Sequence, residues 1–149
     1  MIVVYGGCME IKQKLKIFYI TSVFSMVFAV LGFSYNTWRM ELSEENSNLR
    51  TASFEVLLQL SELEQIIYAI HYDKDIKEGN PRKAWVKVGL VNDLSSLIGG
   101  EVKQESLALK ELWGLHWQDV SSDEQVVQAL VSKIDMVRLS IKRVLESLV

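Results

Sequence analysis

The polar and apolar residues of this chain follow two patterns, and the first is an uninterrupted uncharged segment. No charged residue lies between Ile17 and Trp38, a stretch of 22 residues. As a helix it would be about 33 Å long, enough to cross a hydrocarbon core of about 30 Å. We therefore predict a transmembrane signal-anchor helix over residues 17–38, preceded by a basic N-terminus over residues 1–16.

The flanking charges predict the orientation of this segment. Lys12, Lys14 and Lys16 precede it, whereas Arg39 is followed by three glutamates before the next basic residue. Because Lys and Arg are retained on the cytoplasmic side, we expect the N-terminus in the cytoplasm and the remainder outside it. The sequence thus predicts a single-pass protein of the bacterial inner membrane with a periplasmic domain.

A cleaved signal peptide is the alternative interpretation of the same segment. A basic leader, an apolar run and the small-x-small triplet 32–34 (Gly-Phe-Ser) are typical of one. The run is at the long limit for a signal peptide, and the helical pattern continues behind it without a break, which favours the uncleaved anchor. Met1 and Met9 are both compatible with the start of translation.

The second pattern is a seven-residue repeat of apolar positions with a companion position four residues later. The repeat comprises Tyr35, Leu42, Leu49, Val56, Leu63 and Ile70, with Asn46, Ser53, Leu60 and Ile67 as companions. Two such positions per heptad are typical of a coiled-coil seam. The companions are polar at first and apolar later, which predicts a helical stalk over residues 39–53 leading into a domain over residues 54–149.

In the stalk only a narrow stripe of seam positions is apolar, and such a stripe is typical of a contact between two chains. Polar residues at such seam positions set register and partner number, at a cost in stability. We therefore expect self-association, or a protein partner, at Leu42, Asn46, Leu49 and Ser53.

A second helix of the domain is predicted from its boundaries. Asn80 can cap it, with Pro81 at the first helical position, and Gly99-Gly100 ends it after about Ile98. The larger apolar side chains of this helix are expected to be buried, namely Val86, Leu90, Val91, Leu94, Leu97 and Ile98.

Two more helices complete the predicted domain. The third runs from about Glu101 to Gln118, and Ser121-x-x-Glu124 predicts a capping box for the fourth. The fourth has the most regular apolar spacing, formed by Val127, Leu130, Ile134, Val137, Ile141, Val144 and Leu148. Short connections favour antiparallel neighbours, so we predict an all-α fold with an antiparallel four-helix bundle.

Charge and cysteine content limit the possible partners. Three lysines and Glu10 are the charged residues before Arg39, which leaves 13 of the 16 basic and 18 of the 19 acidic residues behind it. A domain with a net charge of −5 is a poor match for nucleic acid, which requires clustered cations. Cys8 is the single cysteine, so an intramolecular disulfide and a cysteine-based metal site are excluded.

Tryptophan and histidine supply one candidate contact site. Trp113, His116 and Trp117 stand at helical spacing in the third helix, with Gly114 among them, and Trp85 lies in the second helix. Aromatic walls are typical of a ligand cleft, of a protein contact and of an ordinary core. The histidines, His71 and His116, have no metal-ligand spacing, and we predict no metal and no cofactor.

A second candidate site is cationic. Arg82, Lys83 and Lys87 lie in the first turns of the second helix, where the helix dipole is also positive. An anion or an acidic partner could use them, and pairing with nearby acidic side chains is the alternative.

No catalytic motif is present in the sequence, so we expect no enzymatic activity. The layout resembles the extracytoplasmic helical sensor modules of bacterial membrane receptors in architecture alone. In those receptors the last helix returns through the membrane, whereas this sequence ends at Val149. Two functions remain: an assembly or accessory module that binds a protein partner or its own copy, and a small-molecule sensor that signals through a separate protein.

Overall fold

The structure, a computed structural model, describes residues 5–148 and the side chains of residues 11–148. The start at Met1 lies outside the described residues, as do the side chains of Cys8 and Met9. Regular structure comprises α1 (Tyr5–Tyr68), a π-helical turn (Ala69–Asp73), α2 (Pro81–Ser95), α3 (Gly100–His116) and α4 (Glu124–Ser147). Residues 5–148 include no β-strand, so the all-α prediction is confirmed.

The chain divides into two compact units between Glu44 and Glu45, and α1 contributes to both. In the first unit the large apolar side chains are exposed: Phe18, Phe24, Phe28 and Phe33 show 60–74% of their surface. By length and composition the helix that carries them could cross a membrane, and none of its most apolar window is buried by the protein.

The second unit, from Glu45 onward, is called the helical unit below. All four helices contribute to its core, where Leu63, Val91, Trp113 and Ile134 are completely buried. In α4 the predicted face is confirmed for the buried residues Val127, Leu130, Ile134, Val137 and Ile141. Steps of three and four residues keep these side chains on one side of the helix.

The predicted inner face of α2 is wrong in part. Val91 and Ile98 are buried and Leu94 packs against the core, but Val86, Leu90 and Leu97 are 68%, 36% and 64% exposed. The buried face of α2 is instead formed by Ala84, Val88, Val91 and Ser95. Both sets have helical spacing, and the set that is buried has the smaller side chains.

Two backbone features, at Lys74 and Gly79, determine the conformation of the connection between α1 and α2. Lys74 has the left-handed conformation (φ 51°), and its N–H donates to the carbonyl of Ala69. At Gly79 an added Cβ would lie 2.6 Å from the carbonyl oxygen of Asp75 and 2.7 Å from the nitrogen of Ile70. Only glycine fits this close approach.

The predicted N-cap of α2 is confirmed. The side chain of Asn80 accepts a hydrogen bond from the backbone N–H of Arg82 at 2.9 Å, and Pro81 occupies the first helical position. This arrangement satisfies a backbone donor that the helix itself leaves unpaired.

The capping box predicted for α4 is wrong. Asp123, not Ser121, caps the helix, and its carboxylate accepts from the N–H groups of Gln125 (2.8 Å) and Val126 (3.4 Å). Ser121 lies two residues too early because the turn after α3 continues to residue 122. A carboxylate at this position also interacts favourably with the helix dipole.

Candidate functional site

The tryptophans of α2 and α3 are divided between core and surface. Trp113 is completely buried, and the ring of Trp85, which is 39% exposed, meets it edge-on with centroids 6.4 Å apart. A Cβ added at Gly114 would lie 3.6 Å from the ring of Trp85, an ordinary contact. The structure thus brings Trp85 against α3 as a packing contact, and only Trp85 of the pair is open to solvent.

The other two members of the predicted aromatic site lie at the C-terminal end of α3. Trp117 is half-buried and packs against the core. His116 places its Nδ1 3.6 Å from Oδ2 of Asp119, and both side chains are about half exposed. The structure therefore arranges His116 as a surface residue beside a carboxylate.

The three cations of α2 do not form one cluster. Lys87 extends toward α1, where its Nζ forms an ion pair with Glu62 and donates to Oε1 of Gln59 at 2.7 Å. Lys83 pairs with Glu78 at 3.7 Å, and Arg82 is exposed. The predicted alternative, pairing with nearby acidic groups, describes Lys83, while Lys87 joins two helices.

A groove of about 730 Å³ lies between α1 and α2. Its floor includes Ile66 and Ala69, Val86 forms part of a wall, and Lys83 and Lys87 lie along it with their acidic partners. Neither Trp113 nor Trp117 lines this groove. Because its lysines are paired with Glu78 and Glu62, the groove offers little net positive charge for an anion.

A polar cluster that the sequence did not indicate joins α1 to α4. Nη2 of Arg138 donates to Oε2 of Glu64 at 2.6 Å and to Oγ of Ser61 at 3.4 Å, while Nη1 donates to Oδ1 of Asp135 at 3.0 Å. The hydroxyl of Tyr68 donates to Oε1 of Glu64 at 2.9 Å. Glu64 therefore accepts from two helices, and the cluster fixes how α1 and α4 are rotated against each other.

The cluster also raises the pKa values of two of its members, Arg138 and Tyr68. Burial acts to lower the pKa of Arg138, but the hydrogen bonds to Glu64 and Asp135 outweigh it and the pKa rises. The pKa of Tyr68 is raised first by its hydrogen bond to Glu64, then by burial and by the negative charge of Glu64. Both shifts stabilise the proton-bearing donors of the cluster.

A further pair of contacts joins the connection between α1 and α2 to the connection between α3 and α4. Nδ1 of His71 lies 2.8 Å from the carbonyl of Val120. Because a carbonyl can only accept, Nδ1 carries the proton. Nζ of Lys74 donates to the carbonyl of Ser121. His71 is thus half-buried in a structural contact.

The residues predicted to form a seam between chains have different surroundings. Leu42 is 43% exposed. Asn46 and Leu49 are half-buried. Ser53 is completely buried in the helical unit, and its Oγ has no hydrogen-bond partner among the described residues. A second chain could reach Ser53 only by displacing helices of its own unit, so Ser53 is part of the intrachain core in this structure.

Among residues 11–148, whose side chains the structure describes, no group of three or more His, Cys, Asp or Glu side chains is placed to hold a metal ion. Comparison of the chain with protein-family models, with curated proteins and with solved structures finds no match.

Proposed function

We propose that this chain is a single-pass protein of the bacterial inner membrane whose helical unit, in the periplasm, is a protein-interaction module of the cell envelope. One observation carries the proposal: a 22-residue uncharged segment stays fully uncovered by the protein, while the residues from Glu45 onward form a unit with its own buried core. The uncovered apolar segment is stable only in an apolar solvent such as the membrane interior. The unit from Glu45 onward has the buried apolar core that is typical of a domain in water.

The contacts between helices support an antiparallel four-helix bundle as the architecture of the module. Lys133 of α4 pairs with Glu105 of α3, and Arg143, farther along α4, pairs with Glu101, which lies earlier on α3. Residue numbers that rise on one helix while they fall on its neighbour are typical of antiparallel packing.

The same order relates α1 to α4. Arg50 donates to the carbonyl of Leu148 at 3.3 Å, and Glu64 pairs with Arg138. These two contacts hold α1 and α4 side by side. Because side chains fill the interior of the unit, a partner can bind only to the outer faces of the helices.

An interaction role is favoured over a small-molecule sensor by the position of Trp113. The sensor would need open space beside this ring, and the ring is completely buried by protein atoms. Large apolar side chains are instead exposed on the outer faces, including Phe54, Val86 and Leu97. Exposed side chains of this kind are available to a protein partner, and the proposal includes no catalytic step.

Topology tests the membrane part of the proposal. A reporter that is active only outside the cytoplasm, fused after Val149, should be active, and one that works only in the cytoplasm should be inactive. The opposite result would reject the orientation. The intact mass of the protein extracted from membranes identifies the start at Met1 or Met9 and shows whether the segment 32–34 is cleaved.

Partner capture tests the interaction part. Mild crosslinking of intact cells, followed by purification through a C-terminal tag, should yield a defined crosslinked species that contains the chain and one partner, or two copies of the chain. Recovery of the uncrosslinked monomer alone, at crosslinker doses that join known envelope complexes, would contradict an interaction role.

A further inference from the structure

One line of residues on α1 in the helical unit is free of charge and faces away from the core. It comprises the exposed residues Thr51, Phe54, Leu58 and Gln65, spaced by three, four and seven residues. Phe54 and Leu58 are 63% and 52% exposed, in the middle of the line. Arg50 and the glutamates of this part of α1 lie on other faces of the helix. The line, called the outer line below, therefore has an apolar centre and charged residues on both sides.

We propose that a second copy of this chain docks on the outer line, parallel to the first and related to it by a two-fold axis along α1. The inference rests on the proposed membrane anchor, because copies anchored in one membrane through the same segment point in the same direction. Residues of the outer line then meet their own counterparts at the same height. Like charges would repel there, and the line contains none.

The residues beside the outer line fit a parallel pair specifically. With Thr51 and Leu58 at a positions and Phe54 at d, Arg50 occupies a g position and Glu55 an e position. In a parallel coiled coil each g residue faces the e residue of the partner five positions farther on. Arg50 of one copy therefore faces Glu55 of the other, and symmetry makes this pair twice.

Both side chains keep the capacity for that contact. Arg50 uses one donor, to the carbonyl of Leu148 at 3.3 Å, and a guanidinium has five. Oε1 of Glu55 accepts from Gln59 at 2.7 Å, which leaves the second carboxylate oxygen and the negative charge. The pairing therefore requires neither of these hydrogen bonds to break.

The size of this surface determines where the dimer forms. Two large apolar side chains per copy cover far less than the roughly 800 Å² per partner of a stable interface in solution. Confinement to one membrane raises the effective concentration of the copies. The contact is therefore formed by the anchored chain and is weak in a detached helical unit.

Disulfide crosslinking of the full-length protein in its native membrane tests the proposal. In a Cys8→Ser background, Phe54→Cys and Leu58→Cys are compared with Leu139→Cys on α4. Leu139 is a matched control because it is 50% exposed, against 52% for Leu58. The crosslinked homodimer should be several-fold more abundant at positions 54 and 58 than at 139. Equal yields at all three positions would indicate random collision and overturn the proposal.

A charge exchange identifies the partner as a second copy. Glu55→Arg places Arg50 opposite an arginine and should reduce the Leu58→Cys crosslink several-fold, and Arg50→Glu should do the same. The double change Arg50→Glu with Glu55→Arg restores opposite charges and should restore the crosslink. Failure of this restoration, with helical content and thermal unfolding unchanged, would overturn the parallel pairing.

A photoreactive residue in place of Leu58 separates failure of this inference from failure of the proposed function. A crosslinked species of the mass of two copies supports self-docking. A species that contains a different protein overturns self-docking and leaves the interaction role standing. Absence of any species at Leu58, together with no partner in the capture experiment, contradicts both.

Discussion

Val27 and Leu139 are equally exposed, at 50% each, but the residues that surround them differ in charge. Around Val27 every neighbour is uncharged, and the apolar surface continues around the whole helix. Leu139 stands on α4 between charged residues, with Arg138 one position before it and Lys142 three positions after it. Exposure alone therefore does not distinguish the two regions, whereas the charge of the surrounding residues does.

The two regions also differ in what holds them in place. The helical unit is stabilised by its own core, whose residues are removed from water by neighbouring helices. The segment 17–38 has no such cover within the protein, so its free energy depends on the solvent around it. Substitutions that act on burial should affect the first region, and substitutions that add charge should affect the second.

The largest effect is expected in the core of the helical unit. Ile134 is completely buried, so Ile134→Ala removes packed methyl groups and leaves a cavity that costs about 2–5 kcal/mol. Leu139→Ala, on the exposed side of the same helix, should change stability by less than about 0.5 kcal/mol. Denaturant unfolding of the helical unit measures both. A loss below about 1 kcal/mol for Ile134→Ala would mean that α4 is not packed as described.

The second-largest effect is expected when a charge is introduced into the uncharged segment 17–38. Val27→Asp should disfavour membrane insertion by about 3 kcal/mol, since an aspartate at the centre of a span costs about 2.5–3.5 kcal/mol. Leu139→Asp, at the same exposure, should insert normally and fold normally. Alkaline extraction of membranes measures the inserted fraction. Equal insertion of both variants would show that residues 17–38 do not span the bilayer.

Pattern and turn chemistry predicted much of this fold because they act locally. Asn80-Pro81 marks the start of α2 through backbone groups that lie two residues apart. The face of α4 follows from its own spacing, since a single apolar set is present. The uncharged segment 17–38 is likewise visible in sequence alone because its length and lack of charge need no tertiary partner.

The contacts that one helix makes with another could not be predicted from local sequence. On α2 two sets of residues have helical spacing, and the side that turns inward depends on the neighbouring helices. Ser53 continues a seam in sequence, but the structure covers it with the other helices of its unit. The contact between Glu64 and Arg138 joins residues 74 positions apart, and no local pattern records such a pair.

The polar cluster between α1 and α4 gives an intermediate effect. Glu64→Gln removes the charge that faces Arg138, whose side chain is only 23% exposed. Because a partly buried guanidinium loses its main partner, we expect a cost of about 1–3 kcal/mol. Glu146→Gln, at an exposed position of α4, should change stability by less than about 0.5 kcal/mol. Similar unfolding midpoints for the two variants would show that the cluster contributes little.

A small gain is expected beside Trp85. Gly114 lies within α3, and an added Cβ would make an ordinary contact with the Trp85 ring at 3.6 Å. Gly114→Ala should therefore stabilise the helical unit by up to about 1 kcal/mol, because alanine loses less backbone entropy in a helix. Gly79→Ala is the opposite case, since its Cβ would overlap backbone atoms. A loss of stability in Gly114→Ala would mean that the Trp85 ring lies closer to α3.

The smallest effect depends on pH. The hydrogen bond from Tyr68 to Glu64 raises the pKa of Tyr68 above its ordinary value of 10.0. A raised pKa means that the contribution to stability is present below about pH 10 and is lost as the pH rises through the folded-state value. Tyr68 is 37% exposed, so Tyr68→Phe should cost only about 0.5 kcal/mol or less at pH 8. The difference in free energy of unfolding between the unsubstituted protein and Tyr68→Phe should shrink at higher pH.

A Glu64→Gln background provides the control. There the effect of Tyr68→Phe on stability should lose its dependence on alkaline pH, because the carboxylate that holds the phenol proton is gone. A difference that stays constant from pH 8 to pH 11 would show that Tyr68 contributes through ring packing and not through this hydrogen bond.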